Sequence, residues 1–241
     1  MKVIVTKDYG EMSRKAFEIM RLIVSEIPDA VLGLATGSTP MGMYDLMAED
    51  YKKGGISYAR VRSVNLDEYV GLAADDVNSY AYFMDKNLFS RVDIDKKNTF
   101  LPCGTAPDEQ KECDRYNALL KTLDRDIQIL GIGSNGHIGF NEPGTPFDSE
   151  THVVKLTENT IKDNSRLFDS IDRVPKMAYS MGIKNILDAK KIVVMASGEH
   201  KAKAVYDMLN ADISVACPAT ALRTHGDVTL IADEGAAQLL K

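Results

Sequence analysis

From one end to the other, the chain alternates short apolar runs with longer amphipathic segments, and few architectures accept that rhythm. The apolar runs are KVIVT (2–6), VLGLA (31–35), VRSVNL (61–66), NTFLP (98–102), IQILGIG (127–133), HVVKL (152–156), KIVVMAS (191–197) and VTLIAD (228–233). Between them, 12–27, 41–53, 78–89, 108–123 and 200–210 carry helical periodicity. Strand followed by helix, repeated, implies an α/β fold: a mostly parallel open sheet with helices on both faces, Rossmann-like in its layering. The 241 residues, 44% hydrophobic, show no internal repeat and no linker-like stretch, so one domain spanning 1–241 is expected. The polar stretch 157–180 has the weakest periodicity. It reads as a mobile flap or as a plain surface helix and loop.

Charge narrows the partners. Twenty-nine basic residues against 35 acidic ones give a net charge of −6, and no Lys/Arg-rich run occurs. A nucleic acid or an anionic membrane would need a basic face, so neither is expected as a partner. Cys103, Cys113 and Cys217 are widely spaced and form no C-x-x-C, which suggests neither a disulfide framework nor a thiolate metal site. The opening MKVIVTKDYG is too short in apolar residues for a secretory signal, and a cytoplasmic protein is expected.

In open parallel sheets, ligands bind beyond the carboxyl ends of the strands, where the strand-to-helix loops converge. Three such loops carry unusual chemistry. After VLGLA come Thr36, Gly37, Ser38, Thr39 and Pro40. Thr39 suits an N-cap and Pro40 the first helical position, while Gly37 admits close backbone approach, so the loop offers a seat for a phosphate group. No Walker lysine follows; the alternative is merely a well-capped helix. After VRSVNL come Asp67 and Glu68, adjacent carboxylates of which one can serve as a base whose pKa burial would raise. An exposed acidic turn is the alternative.

The third loop follows IQILGIG. GIGSNG (131–136) formally matches the G-x-G-x-x-G of dinucleotide sites, but its last glycine opens HIGFNEPGTP, which is no helix, and no acidic residue closes the next strand at the right offset. What the loop supplies is His137, with Asn135 before it and Glu142 after it. An imidazole paired with a carboxylate is suited to proton transfer near neutral pH, against the alternative of a histidine bonded to local backbone. His152, His200 and His225 lack such a setting and read as structural.

GIGSNGHIGFNEPG, with NLDEYVGL and LATGSTP in the same order, closely resembles the glucosamine-6-phosphate deaminase family, part of the sugar-phosphate isomerase and 6-phosphogluconolactonase fold group. NSRLFD (164–169), VPKMA (174–178) and GEHKA (198–202) agree as well. The resemblance implies a reaction without cofactor or metal: glucosamine 6-phosphate and water give fructose 6-phosphate and ammonia, in amino-sugar catabolism. It implies that His137 assists ring opening, that Glu142 orients and charges His137, and that Asp67 moves a proton from C2 to C1 through an enolamine. The substrate phosphate would sit on Gly37, Ser38 and Thr39, with Arg166 and Lys201 as cationic partners. Where the best-known pattern has aspartate two residues before the histidine, this chain has Asn135. A lactonase or simple isomerase on the same scaffold is the alternative activity, and a sugar-phosphate sensor the alternative outside catalysis. Whether the chain is a monomer or a homo-oligomer is not written in the sequence.

Overall fold

The computed structural model describes residues 1–157, 161, 170 and 174–240. The strands are β1 (Lys2–Thr6), β2 (Val31–Leu34), β3 (Arg62–Asn65), β4 (Asp67–Tyr69), β5 (Thr99–Phe100), β6 (Ile127–Gly131), β7 (His152–Lys155), β8 (Met177–Ser180), β9 (Ile192–Ala196) and β10 (Val228–Asp233). The α-helices are α1 (Tyr9–Glu26), α2 (Met41–Lys52), α3 (Tyr80–Asn87), α4 (Glu109–Thr122), α5 (Ile183–Leu187) and α6 (Ala202–Asn210).

Seven strands form one sheet in the order β1-β10-β9-β6-β2-β3-β5. All its pairings are parallel. From β2 the chain moves outward through β3 to β5, then returns to the other side of β2 and moves through β6 and β9 to β10. The winding therefore reverses between β2 and β6. Loops leaving two such strands diverge to opposite faces and open a crevice at their carboxyl ends, and here those loops are 35–40 and 132–147.

Two apolar layers hold the sheet, and side chains alternate between them. Along β9, Ile192, Val194 and Ala196 join Tyr116 and Leu120 of α4, Ile183 of α5 and Val205 of α6. Val193 and Met195 point the other way, to Met12, Ala16 and Met20 of α1 and Tyr44 and Met47 of α2. The four-residue spacing of Met12, Ala16, Met20 and Val24 explains why α1 is a helix: it forms one buried stripe. At roughly 1.5–3 kcal/mol for each fully buried large apolar side chain, these layers dominate the stability of the fold. Helix starts agree with local chemistry, since Asp8, Ser79 and Asp108 each accept a backbone N–H in the first turn of α1, α3 and α4.

A second sheet, β4-β8-β7, is antiparallel and departs from the expected rhythm. HVVKL does not join the parallel sheet; as β7 it pairs with β8. The stretch 67–69, read as a loop after VRSVNL, is itself a short buried strand, which also removes the alternative of an exposed acidic turn. Leu66 is the pivot: its N–H bonds Leu34 of the large sheet at 3.1 Å, and its carbonyl accepts from Met181 at 2.7 Å. One residue later the chain pairs with β8, Asp67 opposite Ser180. This step carries Asp67 over the carboxyl end of the large sheet. The segment read as a flap ends before Met177, because 177–180 form β8; Arg166 and most of the rest of that segment lie outside the described residues.

Candidate active site

A cavity of about 170 Å³ opens at the reversal between β2 and β6, and Gly37, Asp67, Tyr80, His137, Phe140 and Lys201 are among its walls. The three loops singled out in the sequence meet there. Lys201 also borders an adjoining cavity of about 1130 Å³, shared with Ser38, Thr39, Tyr9, Ser197 and His200. His200, read as structural, thus faces the loop read as an anion seat. His152 and His225 bond backbone carbonyls, of Glu150 and Ala189 respectively, away from both cavities.

Asp67 is 6% exposed. Its Oδ1 is buried without a hydrogen-bond partner among the described residues. Burial first, and the neighbouring Glu68 charge second, push the carboxyl from its ordinary 3.8 up to about 8. An unpaired buried oxygen is costly, and this one belongs to a side chain that borders a cavity shared with His137 and Lys201. Of the two adjacent carboxylates, Glu68 is turned away from the cavity that Asp67 borders. Strand alternation turns it to the other side, where it accepts N–H bonds from Tyr69, Tyr80 and Ala81 at 2.8–2.9 Å and anchors the start of α3.

The glycines of GIGSNG serve the histidine. A Cβ on Gly133 would lie 2.3 Å from the His137 ring, so the ring folds back over that bare backbone. Gly136 has φ +84°, the left-handed region that glycine adopts without cost, and is backed by the Cys217 sulfur. The turn brings His137 Nδ1 to 3.4 Å from Glu142 Oε1, an ion-pair separation without hydrogen-bond alignment. The Asn135 amide donates to Glu142 Oε2 at 2.7 Å and its carbonyl accepts the His137 backbone N–H at 3.2 Å. With Nδ1 turned to the carboxylate, Nε2 is the nitrogen left for a substrate.

The loop after β2 differs from its expected capping. Pro40, not Thr39, occupies the cap position of α2, and no side chain of the loop caps it. Lys201 is delivered by a 3-10 turn, Glu199–Lys201, that follows β9. Asp233, the last residue of β10, fixes that loop by accepting from Ser197 Oγ at 2.5 Å and from Gly198 N–H at 3.0 Å. Burial would raise the Asp233 pKa, but these bonds outweigh it and hold the carboxyl below its usual range. An acid ending VTLIAD was the available signal for this role. No sequence signal marked the aromatic wall, in which Tyr80 lies 4.7 Å from Tyr69 and stacks on Phe140 at 6.3 Å and 10°.

The chain as a whole is similar to known proteins. The family model described as glucosamine-6-phosphate isomerases/6-phosphogluconolactonase matches residues 10–230. A glucosamine-6-phosphate deaminase of Bacillus velezensis is 52% identical over 238 residues, covering 98% of this chain and 99% of the relative. One from Clostridium perfringens is 50% identical over 242 residues, with both chains covered in full. A solved structure described as a monomeric glucosamine-6-phosphate deaminase superposes with a TM-score of 0.97 at 49% identity, covering 99% of this chain and 100% of that one. With the match running almost end to end, the chain belongs to the family of glucosamine-6-phosphate isomerases and 6-phosphogluconolactonases.

Proposed function

We propose that the chain is a glucosamine-6-phosphate deaminase, converting glucosamine 6-phosphate and water to fructose 6-phosphate and ammonia. The observation that carries this reading is a buried carboxylate with a pKa of about 8 and a carboxylate-paired imidazole on the walls of one small cavity. A base that titrates near neutral pH can both take and return a proton, which an aldose to ketose conversion requires.

The steps follow from the residues. His137, paired with Glu142, moves a proton at the ring oxygen and opens the sugar. Asp67 removes the C2 proton and delivers a proton to C1, passing through an enolamine and leaving an imine at C2. Water adds to C2, the C–N bond breaks, and ammonia departs with the proton count balanced by that water. Gly37, Ser38 and Thr39 seat the phosphate, with Lys201 as a cation nearby; Arg166, from outside the described residues, completes the cationic set. Tyr80 and Phe140 wall the reacting carbons from solvent.

Relatives about half identical over their whole length carry the deaminase name, which favours this reading over a lactonase. A neighbour described as monomeric, 49% identical over nearly the whole chain, supports a monomer as the functional unit. No helix among the described residues is long and apolar enough to cross a membrane, and a cytoplasmic setting suits a phosphorylated sugar. Incubation with glucosamine 6-phosphate tests the reading. Ammonia and fructose 6-phosphate should appear in equal amounts, whereas hydrolysis of 6-phosphogluconolactone without ammonia release from the amino sugar would replace it with the lactonase.

A further inference from the structure

The start of α2 poses a question that the proposed chemistry does not answer. The N–H groups of its first turn have no partner within the helix, yet neither Ser38 nor Thr39 caps them, although either is a residue type that does so well. The cap comes from elsewhere. Tyr9, the first residue of α1, reaches across to the loop, and its hydroxyl accepts the Gly42 N–H at 2.8 Å while donating to the Ser38 carbonyl at 2.8 Å. One oxygen thereby closes the helix end and fixes the backbone of the loop.

We infer that Tyr9 is a positioning residue for phosphate binding: by capping α2 from outside the loop, it leaves the Ser38 and Thr39 hydroxyls unspent and holds them toward the phosphate. This rests on the phosphate seat proposed above. Three observations support it. No hydrogen bond within the described residues takes up either hydroxyl. Tyr9 itself borders the cavity that Ser38, Thr39 and Lys201 share. Tyr9 is 36% exposed, and phenylalanine would bury the same ring without the two bonds, so ring burial alone does not account for a tyrosine here. In the absence of the Tyr9 hydroxyl, the vacated Gly42 N–H competes for the Thr39 or Ser38 oxygen, and the seat loses an acceptor or donor that the phosphate would have used.

The test is Tyr9→Phe. A hydrogen bond contributing on the order of 1 kcal/mol corresponds to about fivefold, so KM for glucosamine 6-phosphate should rise about fivefold with kcat little changed. The dissociation constant of inorganic phosphate, measured by calorimetry, should rise in parallel. In a Ser38→Ala, Thr39→Ala background the same substitution should have almost no further effect on phosphate affinity, because the groups it orients are gone. Unchanged KM and phosphate affinity in Tyr9→Phe would overturn the inference, as would a fall in kcat at constant KM or an undiminished effect in the double-alanine background. The phosphate measurement needs no turnover. A protein that binds phosphate in a Tyr9-dependent way but releases no ammonia would sink the deaminase reading and leave the role of Tyr9 standing; one that binds no phosphate would sink the role of Tyr9.

Discussion

Replacing Asp67 with asparagine should make the protein more stable at alkaline pH while abolishing its turnover. Asp67 is 6% exposed and its carboxyl is raised from 3.8 to about 8, chiefly by burial. A carboxyl whose pKa is raised on folding holds its proton more tightly in the folded state than in the unfolded one. Its contribution to stability is therefore fully present below about pH 4 and falls as pH rises, until the folded group ionises near pH 8. At ~1.4 kcal/mol for each pH unit of difference, the loss is on the order of 5 kcal/mol. Asparagine has nearly the same shape and never ionises. Thermal unfolding of both proteins at pH 4.5 and pH 9 should thus give nearly equal Tm values at the lower pH and a variant higher by roughly 10 °C at the upper. A gap that does not change with pH, or a parent more stable than the variant at pH 9, would refute the claim that this carboxylate is buried at a cost. Turnover of the parent should rise with pH toward 8 as the base ionises, and inorganic phosphate should still bind to the variant.

Three further outcomes follow from the same geometry. Gly133→Ala sets a Cβ 2.3 Å from the His137 ring, so it should lower kcat at least tenfold through displacement of the imidazole while circular dichroism stays that of the parent. Asn135→Asp places two carboxylates at hydrogen-bond distance, and their repulsion favours a shared proton; stability should fall relative to the parent as pH rises above about 4, by about 1 kcal/mol at this exposed position, whereas Asn135→Ala should show no such pH dependence. Glu68→Gln removes the charge that helps to raise Asp67. Its pH–rate profile should move to lower pH, and an unmoved profile would remove Glu68 from the electrostatics of the base.

Much of this site was legible before the coordinates because its parts are local. VLGLA, IQILGIG and KIVVMAS announce buried parallel strands, and the loops behind them hold residues that make little sense at a strand end without a ligand. GIGSNG could be rejected as a dinucleotide loop from HIGFNEPG alone. What was missed depends on contacts between distant segments. The three-residue strand Asp67–Tyr69 is too short to show a period of two, and its partner, 177–180, lies more than a hundred residues away. Glu68 looked like a second acid of the site because only strand alternation turns it to α3. Thr39 looked like the cap of α2 because nothing local reveals that Tyr9, thirty residues earlier, supplies that oxygen.

The most direct test of the account follows a label through the reaction. Glucosamine 6-phosphate carrying deuterium at C2 should react more slowly than the unlabelled sugar and yield fructose 6-phosphate with part of that deuterium at C1, because a single shielded carboxyl takes and returns the proton; Asp67→Asn should yield neither product nor loss of label. Turnover that persists in Asp67→Asn, or labelled sugar that reacts as fast as the unlabelled and gives product with no deuterium at C1, would contradict it.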